Sequence, residues 1–297
     1  MYPQEFEYFC PETLEDAVGL LSKYGEEARV LAGGQSLIPL MKLRLASPKY
    51  LIHLGGIQGL STIEEQDGMI SFGALTRHAE IEESSLVKAK LPMMHDAVSM
   101  IGDVQIRNLG TIGGCLVHAD PAGDMAPALL ALGARVNTLS SNGKRTLKIH
   151  ELIVDAYSTD LGEDEVVTRV LVPIPQKGSG GVYLKFERRA GDFAVASVGV
   201  QISLQKDGTC SEIAVALGAV GVTAIRARKA EEVLRGKQVD DALAKQAADQ
   251  ASAEADPFSD IRGSAEYKRH LVGVLFQRAL KIALKRAGGE KVDTVHL

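Results

Sequence analysis

Ala32-Gly33-Gly34-Gln35-Ser36-Leu37 and Thr111-Ile112-Gly113-Gly114-Cys115 decide the reading of this chain. Each sets two adjacent glycines beside a small hydroxyl residue. Without a Cβ, the backbone approaches an anion closely and several N–H groups converge on it. Two such nests facing each other suit the two phosphates of a dinucleotide. Taken singly, either glycine pair also reads as a plain turn. Neither matches Gly-x-Gly-x-x-Gly, which argues against a Rossmann domain, and neither runs into the Gly-Lys-Ser/Thr of a P-loop.

Working outward, Thr13 reads as the cap of a helix over 13–24, with Asp16 three residues on and Leu14, Ala17, Val18 and Leu21 at helical spacing. Arg29-Val30-Leu31 is a strand entering the first glycine pair, Ser36 suits the cap of the next helix, and Tyr50 to Leu54 is a second strand. Beyond residue 59, Asp67-Gly68 closes a hairpin of 61–65 with 69–74. Helices are expected near 77–90, 92–101 and 125–132. A second hairpin of 135–139 with 146–149 turns at Asn142-Gly143, and a strand over 165–172 stops at Pro173. Pro173-Ile174-Pro175 and Lys177-Gly178-Ser179-Gly180-Gly181 read as a linker. Three strands (182–187, 194–205, 210–220) and three helices (226–235, 240–254, 264–287) follow, with a loose tail after Gly289. The fold class is α+β: an N-terminal domain over 1–175, in subdomains 1–58 and 59–175, then a C-terminal domain over 180–288 with a three-stranded antiparallel sheet and helices.

The 297 residues, 45% of them hydrophobic, are enough for more than one core. A formal charge of −5 argues against a nucleic-acid surface. No apolar run reaches the roughly 18 residues of a membrane span. The segment from Met1 to Cys10 lacks the pattern of a signal peptide, so a cytoplasmic protein is expected. Cys10, Cys115 and Cys210 are too scattered for a disulfide framework or a cluster, and the seven histidines show no metal-ligand spacing.

The glycine elements fall within a longer pattern. Ala-Gly-Gly-Gln-Ser-Leu with Pro39 is followed by Gln105-Ile106-Arg107-Asn108-Leu109-Gly110-Thr111-Ile112-Gly113-Gly114, then by Ala119-Asp120-Pro121 and Asp124. Further on stand Arg188-Arg189-Ala190-Gly191-Asp192-Phe193-Ala194 and Asp260-Ile261-Arg262-Gly263-Ser264-Ala265-Glu266-Tyr267. In this order, from about residue 2 to residue 287, the chain strongly resembles the FAD-binding medium subunit of the molybdenum hydroxylases, the xanthine, aldehyde and carbon monoxide dehydrogenase family. The resemblance implies a two-subdomain FAD domain of the vanillyl-alcohol-oxidase type, shared with the cell-wall reductase for enolpyruvyl sugars. It also implies partners: an iron–sulfur small subunit and a molybdenum large subunit, in a dimer of heterotrimers. Molybdopterin and iron–sulfur clusters belong on those partners. The extra cluster inserted in some relatives is not expected with these three cysteines.

For the site, the resemblance assigns Ala32, Gly33, Gly34, Gln35, Ser36 and Leu37 to a first FAD loop and Thr111, Ile112, Gly113, Gly114 and Cys115 to a second. It places Ile101 and Asp124 against the FAD, and Val167, Lys185 and Phe193 near the flavin ring. Read from the residues alone, Asp124 also suits a helix cap, Phe193 an ordinary core position, Arg188 and Arg189 a solvated edge, and Arg262 and Tyr267 structural roles. Cys115 stands where the family usually has Asn; a passive buried thiol and a reactive one are both open there. No residue recommends itself as a substrate acid or base, and no signature of a covalent flavin link is present. The function expected is electron transfer through non-covalent FAD, with substrate oxidised on a partner. The alternatives are a free-standing flavin oxidase or reductase of the same fold and a scaffold without enzymatic function.

Overall fold

A computed structural model describes residues 2–293. The first subdomain is a parallel sheet in which β3 (Tyr50–His53) lies between β1 (Glu7–Phe9) and β2 (Ala28–Leu31). Helix α1 (Leu14–Tyr24) buries Ala17, Val18 and Leu21 with Ala28 and Ile52 of that sheet. Its start is local chemistry: the Thr13 hydroxyl accepts the N–H of Asp16 at 3.1 Å. Helix α2 (Leu37–Lys42) follows the first glycine element.

The second subdomain is a five-stranded antiparallel sheet, β4-β5-β10-β6-β7, built from β4 (Ile63–Gln66), β5 (Met69–Gly73), β6 (Arg135–Ser140), β7 (Gly143–Lys148) and β10 (Val166–Pro173). Central Val170 pairs with Phe72 on one side and Val136 on the other, and all three are fully buried. The inserted helices are α3 (His78–Glu83), α4 (Ser85–Lys90), α5 (Pro92–Ser99), α6 (Val104–Leu109), α7 (Ile112–His118) and α8 (Met125–Ala131). A short helix α9 (Ile149–Leu152) leads into a small hairpin of β8 (Ile153–Asp155) and β9 (Ser158–Thr159).

The C-terminal sheet runs β11-β12-β13-β14 through β11 (Ser179–Phe186), β12 (Ala196–Leu204), β13 (Cys210–Gly218) and β14 (Ile225–Arg226). Three helices accompany it: α10 (Arg228–Leu234), α11 (Asp241–Glu254) and α12 (Ala265–Ala287). Strand alternation gives the sheet two buried faces. Val182, Leu184, Val198 and Val200 pack in one core with Phe276 and Leu280 of α12. Tyr183 and Ala216 belong to the core of the preceding domain, with Met93 of α5 and Leu129 of α8.

Several expectations are corrected. The stretch 77–90 is two helices, broken at Ser84, whose hydroxyl caps α4. Helix α6, capped by Asp103, was not expected, and Ile149 is helical. The second hairpin turns at Ser141-Asn142, with Gly143 already paired to Ser140 in the strand. Gly180 and Gly181 are strand, not linker. A Cβ on Gly180 would sit 2.0 Å from the carbonyl oxygen of Ala283, so that glycine lets α12 lie against β11. The C-terminal sheet has a short fourth strand. The described part of the tail is tied down, because the Arg286 guanidinium bonds the Val292 carbonyl at 3.0 Å; residues 294–297 lie outside the described residues. Among the described residues no helix is long and apolar enough to cross a membrane.

Candidate functional site

The two glycine elements meet. A Cβ on Gly33 would lie 2.0 Å from the carbonyl oxygen of Leu109 and 2.9 Å from the Cα of Gly110, so only glycine lets the first loop rest on the chain just before Thr111. A Cβ on Gly114 would lie 3.6 Å from the Cβ of Ala32. Gly34 adopts φ +74°, the left-handed region that favours glycine. Ser36 occupies the N-cap position of α2, but its side chain makes no capping bond. The backbone N–H groups of Gly33, Gly34, Gln35 and Ser36 donate no hydrogen bond among the described residues.

The second element is built differently. Ile112 to Cys115 form the first turn of α7. The Ile112 N–H donates to the Thr76 carbonyl at 3.0 Å, Gly113 to Ala74 at 2.9 Å, and Cys115 to Thr111 at 2.9 Å. Gly114 donates to the Thr111 hydroxyl at 3.2 Å. The expectation of a second open nest is therefore not met, since its donors are spent on the fold. Gly113 serves close approach: a Cβ there would meet the Ala74 carbonyl oxygen at 2.7 Å. Behind this element, the N–H of His78 bonds the Gly110 carbonyl at 2.9 Å. The His78 ring is buried and its Nδ1 has no partner. Burial, helped by the Arg107 guanidinium, lowers His78 to about 4, so the ring is neutral.

A third group of residues comes together where the domains touch. Asp124 makes no capping bond to α8, which settles that open alternative. Its carboxylate instead accepts the Tyr183 hydroxyl at 2.7 Å and the Lys185 ammonium at 3.2 Å, both from β11. The same ammonium donates to the Met100 carbonyl at 2.9 Å, which brings Ile101 alongside. It also pairs with Glu187 at 3.0 Å. Burial raises Asp124 to about 6, against the opposing pull of Lys185. Burial and the nearby Asp124 and Asp120 carboxylates push the thiol of half-buried Cys115 up to about 12, which favours the passive reading of that cysteine. Thus Ile101, Cys115, Asp124 and Lys185 share one neighbourhood. Val167 is buried in the main core of the first domain, where β10 shifts register against β6. Phe193 stands apart, half exposed, with the Arg262 guanidinium 5.5 Å over its ring.

Sequence reasoning missed Tyr183 and Glu187. The period-2 rule held the signal, because residues 183 and 185 share one side of β11 and Glu187 follows at the next such position, just past its end. It also missed Asp96 of α5, whose carboxylate receives the Arg286 guanidinium of α12 at 2.6 Å across the domain boundary. Nothing local marks that pair.

The open donors of Gly33 to Ser36 fit an anion that must come close to the backbone, as a dinucleotide pyrophosphate does. Fold and site together define a two-domain FAD-binding flavoprotein. Residues 4–175 match the family described as FAD binding domain in molybdopterin dehydrogenase, and residues 181–283 match the CO dehydrogenase flavoprotein C-terminal domain. The chain belongs to the FAD-binding medium subunits of the molybdenum hydroxylase family, components of oxidoreductase complexes. It is 41% identical to the glyceraldehyde dehydrogenase medium chain of Sulfolobus acidocaldarius, over 95% of this chain and 99% of that one. It is 38% identical to the carbon monoxide dehydrogenase medium chain of Hydrogenophaga pseudoflava, over 96% and 99%. A solved structure of that organism's carbon monoxide dehydrogenase, lacking the Mo-pyranopterin moiety of its cofactor, superposes with a TM-score of 0.94, covering 96% of this chain and 99% of that one at 39% identity.

Proposed function

We propose that this chain is the electron-relaying flavin subunit of a three-subunit molybdenum hydroxylase. FAD is bound without a covalent link, its pyrophosphate on the N–H groups of Gly33 to Ser36. Ala32, Leu37 and the helix start from Thr111 to Cys115 wall that cradle. Ile101, Asp124 and Lys185 stand toward the flavin end, where the domain of residues 1–175 meets that of 180–288, and the family pattern assigns Val167 and Phe193 to that end as well. The observation that carries this reading is the row of unbonded donors in a loop seated on the second glycine element. Bound FAD supplies a centre that accepts single electrons and releases a pair. The chain's residues orient it and keep water from it. Electrons arrive from iron–sulfur clusters on a small subunit, substrate is oxidised on a molybdenum large subunit, and an external acceptor takes the electrons away. Relatives named as medium chains of such dehydrogenases, matched along almost their whole length, support the presence of partner chains, and the assembly inferred for them is a dimer of heterotrimers. The cytoplasm is the expected place for it.

The test is purification of this chain alone, loaded with FAD and offered aldehydes, purines and other heteroaromatic substrates. The flavin is expected to stay oxidised until both partners are added, and filtration after denaturation is expected to release it. Bleaching of the flavin by substrate in the isolated, metal-free chain would overturn the subunit reading and favour a free-standing enzyme.

A further inference from the structure

We propose that Glu187, acting through Lys185, sets the reduction potential of the bound flavin below the value Lys185 and Asp124 alone would give. The inference rests on the FAD site proposed above. Lys185 is fully buried, and one carboxylate suffices to neutralise it. Asp124 is that carboxylate, held in place by the Tyr183 hydroxyl. Glu187 is a second, surplus charge at 3.0 Å from the same ammonium. Its Oε2, the atom that faces the ammonium, has no other polar partner among the described residues. It is not free to swing into solvent either. Its Oε1 accepts the N–H of Gly191, a residue at φ +82° that lies against Gly102, next to Ile101. Of the cationic groups on the neighbouring loops, Arg188 and Arg262 both pair with Asp192, at 3.7 and 3.4 Å.

With both carboxylates ionised, the three side chains carry a net negative charge. A fixed negative charge beside a centre that gains electrons disfavours the electron-rich form, and a low-dielectric setting magnifies the effect. Glu187 is thus a positioning residue in the electrostatic sense: it touches Lys185, which the site reading above sets near the flavin.

The experiment compares the full-length chain and its variants, each loaded with FAD and equilibrated with redox dyes of known potential. Glu187→Gln keeps an acceptor for Gly191 but removes the charge. It is expected to raise the ratio of reduced to oxidised flavin at a fixed potential about tenfold, an upward shift of about 30 mV for a two-electron couple. Glu187→Ala, which also loses the Gly191 anchor, is expected to shift by the same amount, and Glu187→Asp to return toward the wild-type potential. A wild-type potential in Glu187→Gln, or a shift confined to Glu187→Ala, would overturn the proposal and leave Glu187 as a loop anchor. Failure of the wild-type chain to take up FAD would overturn the site reading as well.

Discussion

The two glycine elements look alike in sequence and do opposite work. In the first, Gly33 to Ser36 leave their N–H groups open. In the second, every N–H from Ile112 to Cys115 is consumed by Thr76, Ala74 or Thr111. The first is built to receive something, and the second to hold the first in place. A glycine pair therefore does not announce a nest; the partners of its N–H groups decide.

Substitution separates the two roles, with the largest effect in the second element. Gly113→Val drives a Cβ against the Ala74 backbone, which cannot give way as a side chain can, and is expected to cost about 3 kcal/mol of stability in a urea melt. Gly34→Val meets the side chains of Ile38 and Leu31, which can shift, and the strain of φ +74°, roughly 1–2 kcal/mol, so that chain folds but loses FAD, read from flavin absorbance after desalting. If Gly34→Val retains full flavin, or Gly113→Val melts like wild type, the division of labour fails.

Acid probes the support behind the second element. His78 sits at about 4 in the fold against 6.5 when free, so its contribution is complete above 6.5 and disappears as pH falls through 4. Asp124 runs the other way: its folded value of about 6 exceeds 3.8, so its burial penalty is present above 6 and fades on acidification. From these two groups, wild-type stability is expected to be nearly flat between pH 7 and pH 5. His78→Gln should gain about 1 kcal/mol over that interval and Asp124→Asn should lose about 2 kcal/mol, measured by urea melts at both pH values. Matching slopes in all three proteins would remove both groups from the account.

The smallest effect is chemical. At pH 8 iodoacetamide should label exposed Cys10 and leave Cys115 and Cys210 untouched, as read by mass spectrometry. Labelling of Cys115 at the rate of Cys10 would mean that the second element opens readily.

What the sequence disclosed follows the range of the physics. The cap of α1 and the turn at Asp67-Gly68 involve neighbours a few residues apart, and both were legible. Helix α7 was not, because glycine at 113 and 114 argues against helix on propensity, and the contact with Ala74 that decides the matter comes from the turn just past β5. Gly180 and Gly181 read as linker for the same reason: what they touch is distant in the chain, α12 for Gly180 and Gln201 and Met93 for Gly181. The motif order carried Asp124 and Lys185 into the candidate site, yet not the bond between them. Tyr183 and Glu187 complete that cluster only once β11 lies on the first domain.

The bond between Lys185 and Asp124 also bears on any exchange of halves between chains. The lysine lies on one side of the segment joining the domains and its carboxylate on the other, as do Arg286 and Asp96. A half joined to a partner lacking the matching residue would acquire a buried amine without its acid, or an acid without its amine, and the hybrid would lose stability before any chemistry was tried.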